Sequence, residues 1–359
     1  MKILFTSKLL LVFLLLVNAA FAQDPNYHIY LAFGQSNMEG QGPIETQDKT
    51  VDSRFTVMGA LTCSGTRSFT QNKWAAATAP LFRCDTKLSP LDYFGREMVS
   101  KLPSNIKIGV VPVAIAGCKI ELFDKANYGT YLNSAESYIK TISNAYGGNP
   151  YGRLVETAKA AQKDGVIKGI LLHQGESNTG QADWPNKVKA IYDNLIKDLG
   201  LDPKQVPLLV GEVVTSAMGG QCGSHNAVIA KVPSVIPNSY VISASGLAAQ
   251  SDNLHFTSAS YRTLGQRYAT QMLKLITVLA VDDQSETQNT AAFPNPFTND
   301  LQLVHAGEFK YELMNAMGQI VESGSAINEV KVGNHVNKGM YVVNISQNGT
   351  KKVFKVIKE

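Results

Sequence analysis

Ser36 stands in the block Phe33-Gly34-Gln35-Ser36-Asn37-Met38-Glu39-Gly40, directly after an apolar run over 28–34. A hydroxyl at the turn that follows a buried strand is exposed at the top of a sheet, where it can attack an acyl carbon. A serine at such a turn is also a favourable helix N-cap. The two roles are compatible, because an N-cap sets backbone N–H groups and the positive helix end beside Oγ. The block is not the Gly-x-Ser-x-Gly elbow, since position 38 is Met. A serine nucleophile needs a base, and the base needs an orienting acceptor. Of six histidines, His28 lies in the first apolar run and His305 and His335 near the C-terminus, which leaves His173, His225 and His255. His255 closes the block Asp252-Asn253-Leu254-His255. In a loop or a first helical turn that spacing lets the carboxylate meet Nδ1–H and fix the tautomer. The other reading of Asp-x-x-His is a solvated turn with an acidic N-cap.

Two further blocks suit the walls of a site. His173-Gln174-Gly175-Glu176-Ser177-Asn178 follows an apolar run, and the Gln174 amide is able to face a developing oxyanion. Ala114-Ile115-Ala116-Gly117-Cys118 brings a glycine whose backbone N–H is unobstructed. His173 and Glu176 are also metal-ligand types, but no further ligand pattern accompanies them, so no metal and no cofactor are expected.

The elements that must position these residues follow from periodicity. Apolar runs at 28–34, 108–114, 169–173, 207–213 and 240–243 read as strands buried on both faces. Between them, Leu91, Phe94, Met98 and Leu102 share one helical face, as do Val188, Ile191, Leu195 and Leu199. A last helix is expected over 258–279. Strand–helix alternation implies a three-layer α/β/α domain around a parallel five-stranded sheet, whose ligands bind at the carboxyl ends of the strands. All four blocks follow such ends.

The expected organisation is a signal peptide at 1–22, the α/β domain at 23–281, a polar linker at 282–291 and a small all-β domain at 292–359. The leader rests on Lys2 and Lys8, an apolar run over 9–17 and small residues at Ala20-Phe21-Ala22. The run is short of the roughly 20 residues that span a bilayer, so no stable membrane span is expected. In the last part, short β-type runs alternate with turn signals at Asn299-Asp300, Met317-Gly318, Asn337-Lys338-Gly339 and Asn348-Gly349. The formal charge of +4 falls to +2 without the two leader lysines (31 − 29), which gives no case for nucleic acid. Export permits disulfides. Among the four cysteines, Cys63 with Cys84 brackets a polar segment and is the expected pair. Cys118 with Cys222 is the default second bridge, two free thiols being the alternative.

Together, Gly34-Gln35-Ser36-Asn37-Met38, Ala116-Gly117, His173-Gln174-Gly175-Glu176-Ser177 and Asp252-x-x-His255 resemble the SGNH-hydrolase superfamily. Within it they look like the carbohydrate-esterase branch of acetylxylan esterases and sialate O-acetylesterases. The blocks run in family order from about residue 27 to 280. The resemblance implies an SGNH (flavodoxin-like) fold with Ser36 as nucleophile, His255 as general base and Asp252 as its orienter. It implies an oxyanion hole made by the N–H groups of Ser36 and Gly117 and the Gln174 side chain. Where the wider superfamily supplies an Asn in its third block, this chain reads His-Gln-Gly-Glu. Trp184, just beyond, is a candidate for stacking on a sugar, with core packing as the alternative. The expected activity is removal of acetyl groups from acetylated polysaccharide, acetylxylan first and 9-O-acetylated sialic acid second. A non-catalytic sugar-binding protein on an esterase scaffold is the reading from another class. The last 70 or so residues are similar to the C-terminal sorting domain of the type IX secretion system, through Phe293-Pro294-Asn295-Pro296-Phe297, Asn315-Ala316-Met317-Gly318-Gln319 and Asn337-Lys338-Gly339-Met340-Tyr341. That resemblance implies the type IX machinery as a partner and an exported, secreted or surface-held product.

Overall fold

The computed structural model describes residues 23–64, 68–288, 290–347 and 350–359. The expected signal peptide and the Asn348-Gly349 turn lie outside the described residues. The chain divides into two compact units after Leu273.

In the first unit a seven-stranded sheet is built from β1 (Asp24–Gly34), β2 (Phe55–Met58), β3 (Trp74–Ala76), β4 (Lys107–Ala114), β5 (Gly165–His173), β6 (Leu208–Gly211) and β7 (Ser239–Ile242). Their order is β3-β2-β4-β1-β5-β6-β7. All neighbours run parallel except β3, which pairs antiparallel with β2 at the edge. The five expected strands form the contiguous run β4-β1-β5-β6-β7, so the five-stranded expectation is corrected by two short edge strands. Four and three residues are too few to show a period of their own.

Ile29, Tyr30, Leu31, Ala32 and Phe33 are all fully buried, as the continuous apolar run requires of a central strand. Ile29, Leu31 and Phe33 face one core with Leu154, Ala158, Trp184, Val188 and Leu195, from the helices Pro150–Ala161 and Trp184–Leu199. On the opposite face the Tyr30 ring meets Phe94 edge-on at 4.9 Å. Phe94 belongs to the helix Pro90–Lys101, which begins with a Ser89–Asp92 capping box and a proline in its first turn. The last helix, Ser258–Gln288, runs past its expected end at 279 and through most of the stretch read as a linker. Among the described residues, no helix is long and apolar enough to cross a membrane.

The second unit carries β8 (Thr290–Phe293), β9 (Leu301–Asn315), β10 (Ile320–Val332), β11 (Gly339–Gln347) and β12 (Thr350–Lys358). These form an antiparallel sheet in the order β10-β9-β11-β12, with β8 on β9. Phe297, Leu303, Phe309, Leu313, Val343 and Val356 are buried in its own core. The turn between β9 and β10 falls at Met317-Gly318, where Gly318 takes a φ of 79°.

One disulfide joins Cys63 and Cys84. Cys118 and Cys222 are free, which corrects the expected second bridge. Each thiol is engaged by a different carbonyl: Cys118 Sγ donates to Gly34 O and Cys222 Sγ to Glu176 O.

Candidate active site

Gly34 ends β1 beside His173 of β5. A Cβ at Gly34 would lie 2.0 Å from the His173 carbonyl oxygen, so only glycine allows the strands to close there. The chain then turns into the short helix Ser36–Glu39, and Ser36 becomes its first residue, buried at the carboxyl edge of the sheet. The N-cap reading of Ser36 is thereby shifted by one position, because Gln35 holds the cap.

Asp252 and His255 share one turn after β7. Asp252 Oδ1 accepts the N–H groups of Leu254 at 2.9 Å and His255 at 3.0 Å. Its Oδ2 lies 2.7 Å from His255 Nδ1. The free end of the same ring, Nε2, lies 2.9 Å from Ser36 Oγ. A carboxylate on Nδ1 fixes the proton there and leaves Nε2 bare to accept from the hydroxyl. Burial acts to raise the Asp252 pKa and is the largest single influence. The His255 N–H and imidazole and the Leu254 N–H together outweigh it and hold the carboxyl below its usual range. The series Asp252–His255–Ser36 offers the Oγ proton a path to Nε2.

Two residues of a common cavity carry unengaged backbone donors. Among the described residues, neither the Ser36 N–H nor the Gly117 N–H has a protein acceptor. Gly117 takes a φ of 72°, and its carbonyl is tied down by Ser177 Oγ at 2.9 Å. Ser36, Gly117, Ser177 and His255 line one open cavity of about 470 Å³, together with Gln35, Tyr138, Glu176, Cys222 and Leu254.

The Gln174 side chain does not reach that cavity, which corrects its expected place in an oxyanion hole. It is fully buried, and its Nε2 donates to Gln35 Oε1 at 2.9 Å, Cys118 O at 3.3 Å and Asn178 Oδ1 at 2.5 Å. Its Oε1 takes the indole N–H of Trp184. Trp184 is fully buried too, with His225 edge-on to it at 5.2 Å, so it packs the core and has no face for a sugar. His173 is spent on structure: Nε2 lies 3.0 Å from the Glu212 carbonyl, and burial keeps its pKa below the usual value.

Asn37, given no role from sequence, uses its whole amide inside the site. Its Nδ2 donates to Glu176 Oε1 at 2.5 Å and Leu254 O at 3.0 Å. Its Oδ1 accepts from Tyr261 Oη at 2.6 Å and Phe256 N–H at 3.3 Å. Gln35 similarly binds the third block, accepting from Ser177 N–H at 3.2 Å and Gly175 N–H at 3.4 Å. The one available signal was their place beside Ser36, since polar residues at a strand end tend to serve a site.

A mostly parallel sheet covered on both faces thus sets a hydroxyl, an imidazole and a carboxylate in series at its carboxyl edge, an arrangement suited to hydrolysis of an ester. Residues 26–274 match the family described as carbohydrate esterase, sialic acid-specific acetylesterase, and the chain belongs to that family. Residues 291–359 match the secretion system C-terminal sorting domain, which implies export to the cell surface or medium. A probable carbohydrate esterase of Arabidopsis thaliana is 27% identical over 252 residues, 67% of this chain and 88% of that protein. The X-ray structure of that Arabidopsis protein superposes with a TM-score of 0.53 at 22% identity, covering 70% of this chain and 99% of the other. The crystal structure of NanS gives a TM-score of 0.53 at 17% identity, covering 70% and 98%. These two likenesses show a shared fold.

Proposed function

We propose that this protein is an exported serine O-acetylesterase acting on acetylated carbohydrate through an acetyl-enzyme at Ser36. The observation that carries the reading is the single imidazole of His255 bonded at one nitrogen to Ser36 Oγ and at the other to Asp252. His255 Nε2 takes the hydroxyl proton as Oγ bonds to the acetyl carbon. The resulting oxyanion accepts from the N–H groups of Ser36 and Gly117, each such donor lowering the barrier by roughly 3 kcal/mol. The C–O bond to the sugar breaks, and the sugar oxygen leaves with the proton from His255. Water, deprotonated by the same imidazole, then attacks the acetyl-enzyme, acetate leaves, and Ser36 recovers its proton.

The cavity wall favours an uncharged sugar. Among the described residues that line it there is no Lys or Arg. A carboxylate-bearing sugar would enter without a cationic partner, at a cost in desolvation. Acetylated xylan is accordingly the first substrate and O-acetylated sialic acid, which the family description favours, the second. Acetate release from acetylxylan and from sialylated mucin, measured side by side, tests the order. Ser36→Ala should lower release by more than about a thousandfold. A variant that keeps most of the activity would remove the assignment.

A further inference from the structure

Aromatic and long aliphatic side chains are costly to leave in water, so the place where one is left exposed is informative. Among the described residues of the first unit, Tyr138 is the one large apolar side chain that stands exposed, at 50%. It lies on the catalytic cavity, on whose wall it joins Ser36, Gly117, Leu254 and His255.

The side chain is held against the floor of the site. A Cβ added to Gly117 would fall 2.0 Å from Tyr138 Oη, so the hydroxyl occupies the space that any other residue at 117 would fill. Tyr138 is the second residue of the helix Ser137–Ala145. Ile139, its neighbour on that helix, is buried in the core cluster, and Ile142 packs against it. The helix is thus anchored on one side while Tyr138 projects at the cavity. Among the described residues no hydrogen-bond partner of Tyr138 Oη is found, so the hydroxyl is not spent on holding the fold.

We infer that Tyr138 is the residue that contacts the sugar bearing the acetyl group, its ring serving as an apolar platform for a pyranose face. This inference rests on the proposed esterase reading and takes over the role expected of Trp184. A pyranose ring presents a sheet of C–H groups, and a fixed aromatic ring beside the oxyanion donors covers that sheet at little conformational cost. The contact discriminates between substrates: an acetylated glycan uses the ring, whereas a small aryl acetate needs only Ser36, His255 and the backbone donors.

Two measurements test it. In the first, calorimetry follows binding of an acetylated xylo-oligosaccharide to Ser36→Ala protein, which does not turn it over. Adding Tyr138→Ala should weaken Kd at least tenfold, whereas Tyr138→Phe or Tyr138→Trp should stay within about threefold. In the second, on the active enzyme, kcat/KM for that oligosaccharide is divided by kcat/KM for p-nitrophenyl acetate. Tyr138→Ala should lower this ratio at least tenfold and Tyr138→Phe should restore most of it. Equal losses on both substrates, a Phe variant no better than Ala, or no binding by Ser36→Ala protein would each overturn the assignment. Because the binding arm needs no turnover, failure of the esterase reading itself would show separately, as a wild type that releases no acetate.

Discussion

Asn37 holds His255 from both sides. One half of its amide donates to the carbonyl of Leu254 at 3.0 Å, and the other half accepts the N–H of Phe256 at 3.3 Å. The residue next to Ser36 thereby sets the position of the imidazole that must reach Ser36 Oγ, although 219 residues of chain separate the two.

Asn37→Ala should therefore reduce catalysis without touching the reacting atoms. Displacement of a catalytic group by about 1 Å costs on the order of a hundredfold in rate. We expect kcat for p-nitrophenyl acetate to fall by about that factor, with slowed labelling of Ser36 by a fluorophosphonate. Labelling at the wild-type rate would show that the loop keeps its place without Asn37.

Gln174 separates two roles by the kind of damage its loss causes. An oxyanion donor would cost a hundredfold or more in kcat with stability intact. A buried network member costs stability instead, because Gln35, Asn178 and Trp184 all lose a partner. Gln174→Leu should lower unfolding free energy by about 3 kcal/mol or more in urea titration. A wild-type midpoint with a collapsed kcat would return Gln174 to the oxyanion.

The chemistry-bearing blocks were legible because each is a polar segment at the end of an apolar strand, and a parallel sheet gathers such ends along one edge. Ser36, Asp252 and His255 could be singled out for that reason. Gln174 was misjudged because its partners at 35, 118, 178 and 184 meet only after β1 and β5 pair. Trp184 carried a usable signal: it lies four residues before Val188, on the buried stripe of its own helix. Tyr138 and Asn37 had none of comparable strength. Tyr138 is one of five tyrosines between 128 and 151, with no pattern that sets it apart, and Asn37 is defined by atoms from Leu254, Phe256 and Tyr261 that no local pattern places beside it.

The two free cysteines differ in access. Cys118 is fully buried, and burial pushes its thiol pKa well up, so it is a poor nucleophile while the protein is folded. Cys222 lies half-buried on the cavity wall. A thiol-specific reagent should count one thiol in native protein and two in unreduced, denatured protein, and the native adduct should block acetate release from glycan. A count of zero after denaturation would mean that the second bridge forms after all.

Asp92 offers a pH signature of the fold. Burial pushes its pKa up from 3.8 to about 6, against the hydrogen bonds from Ser89 and the charge of Arg96. Between those two values the folded chain retains a proton that the unfolded chain has released, so this carboxyl makes stability fall as pH rises from about 4 to about 6. Above that window the full cost is present, about 3 kcal/mol at 1.36 kcal/mol per unit. Asp92→Asn keeps an oxygen for the Ser89 N–H of the capping box and removes the titration. The Asn variant should therefore gain on the wild type by up to about 3 kcal/mol across the window, read as the difference between urea-unfolding free energies at each pH. Curves that stay parallel from pH 4 to 7 would show that the buried carboxyl does not take up its proton there.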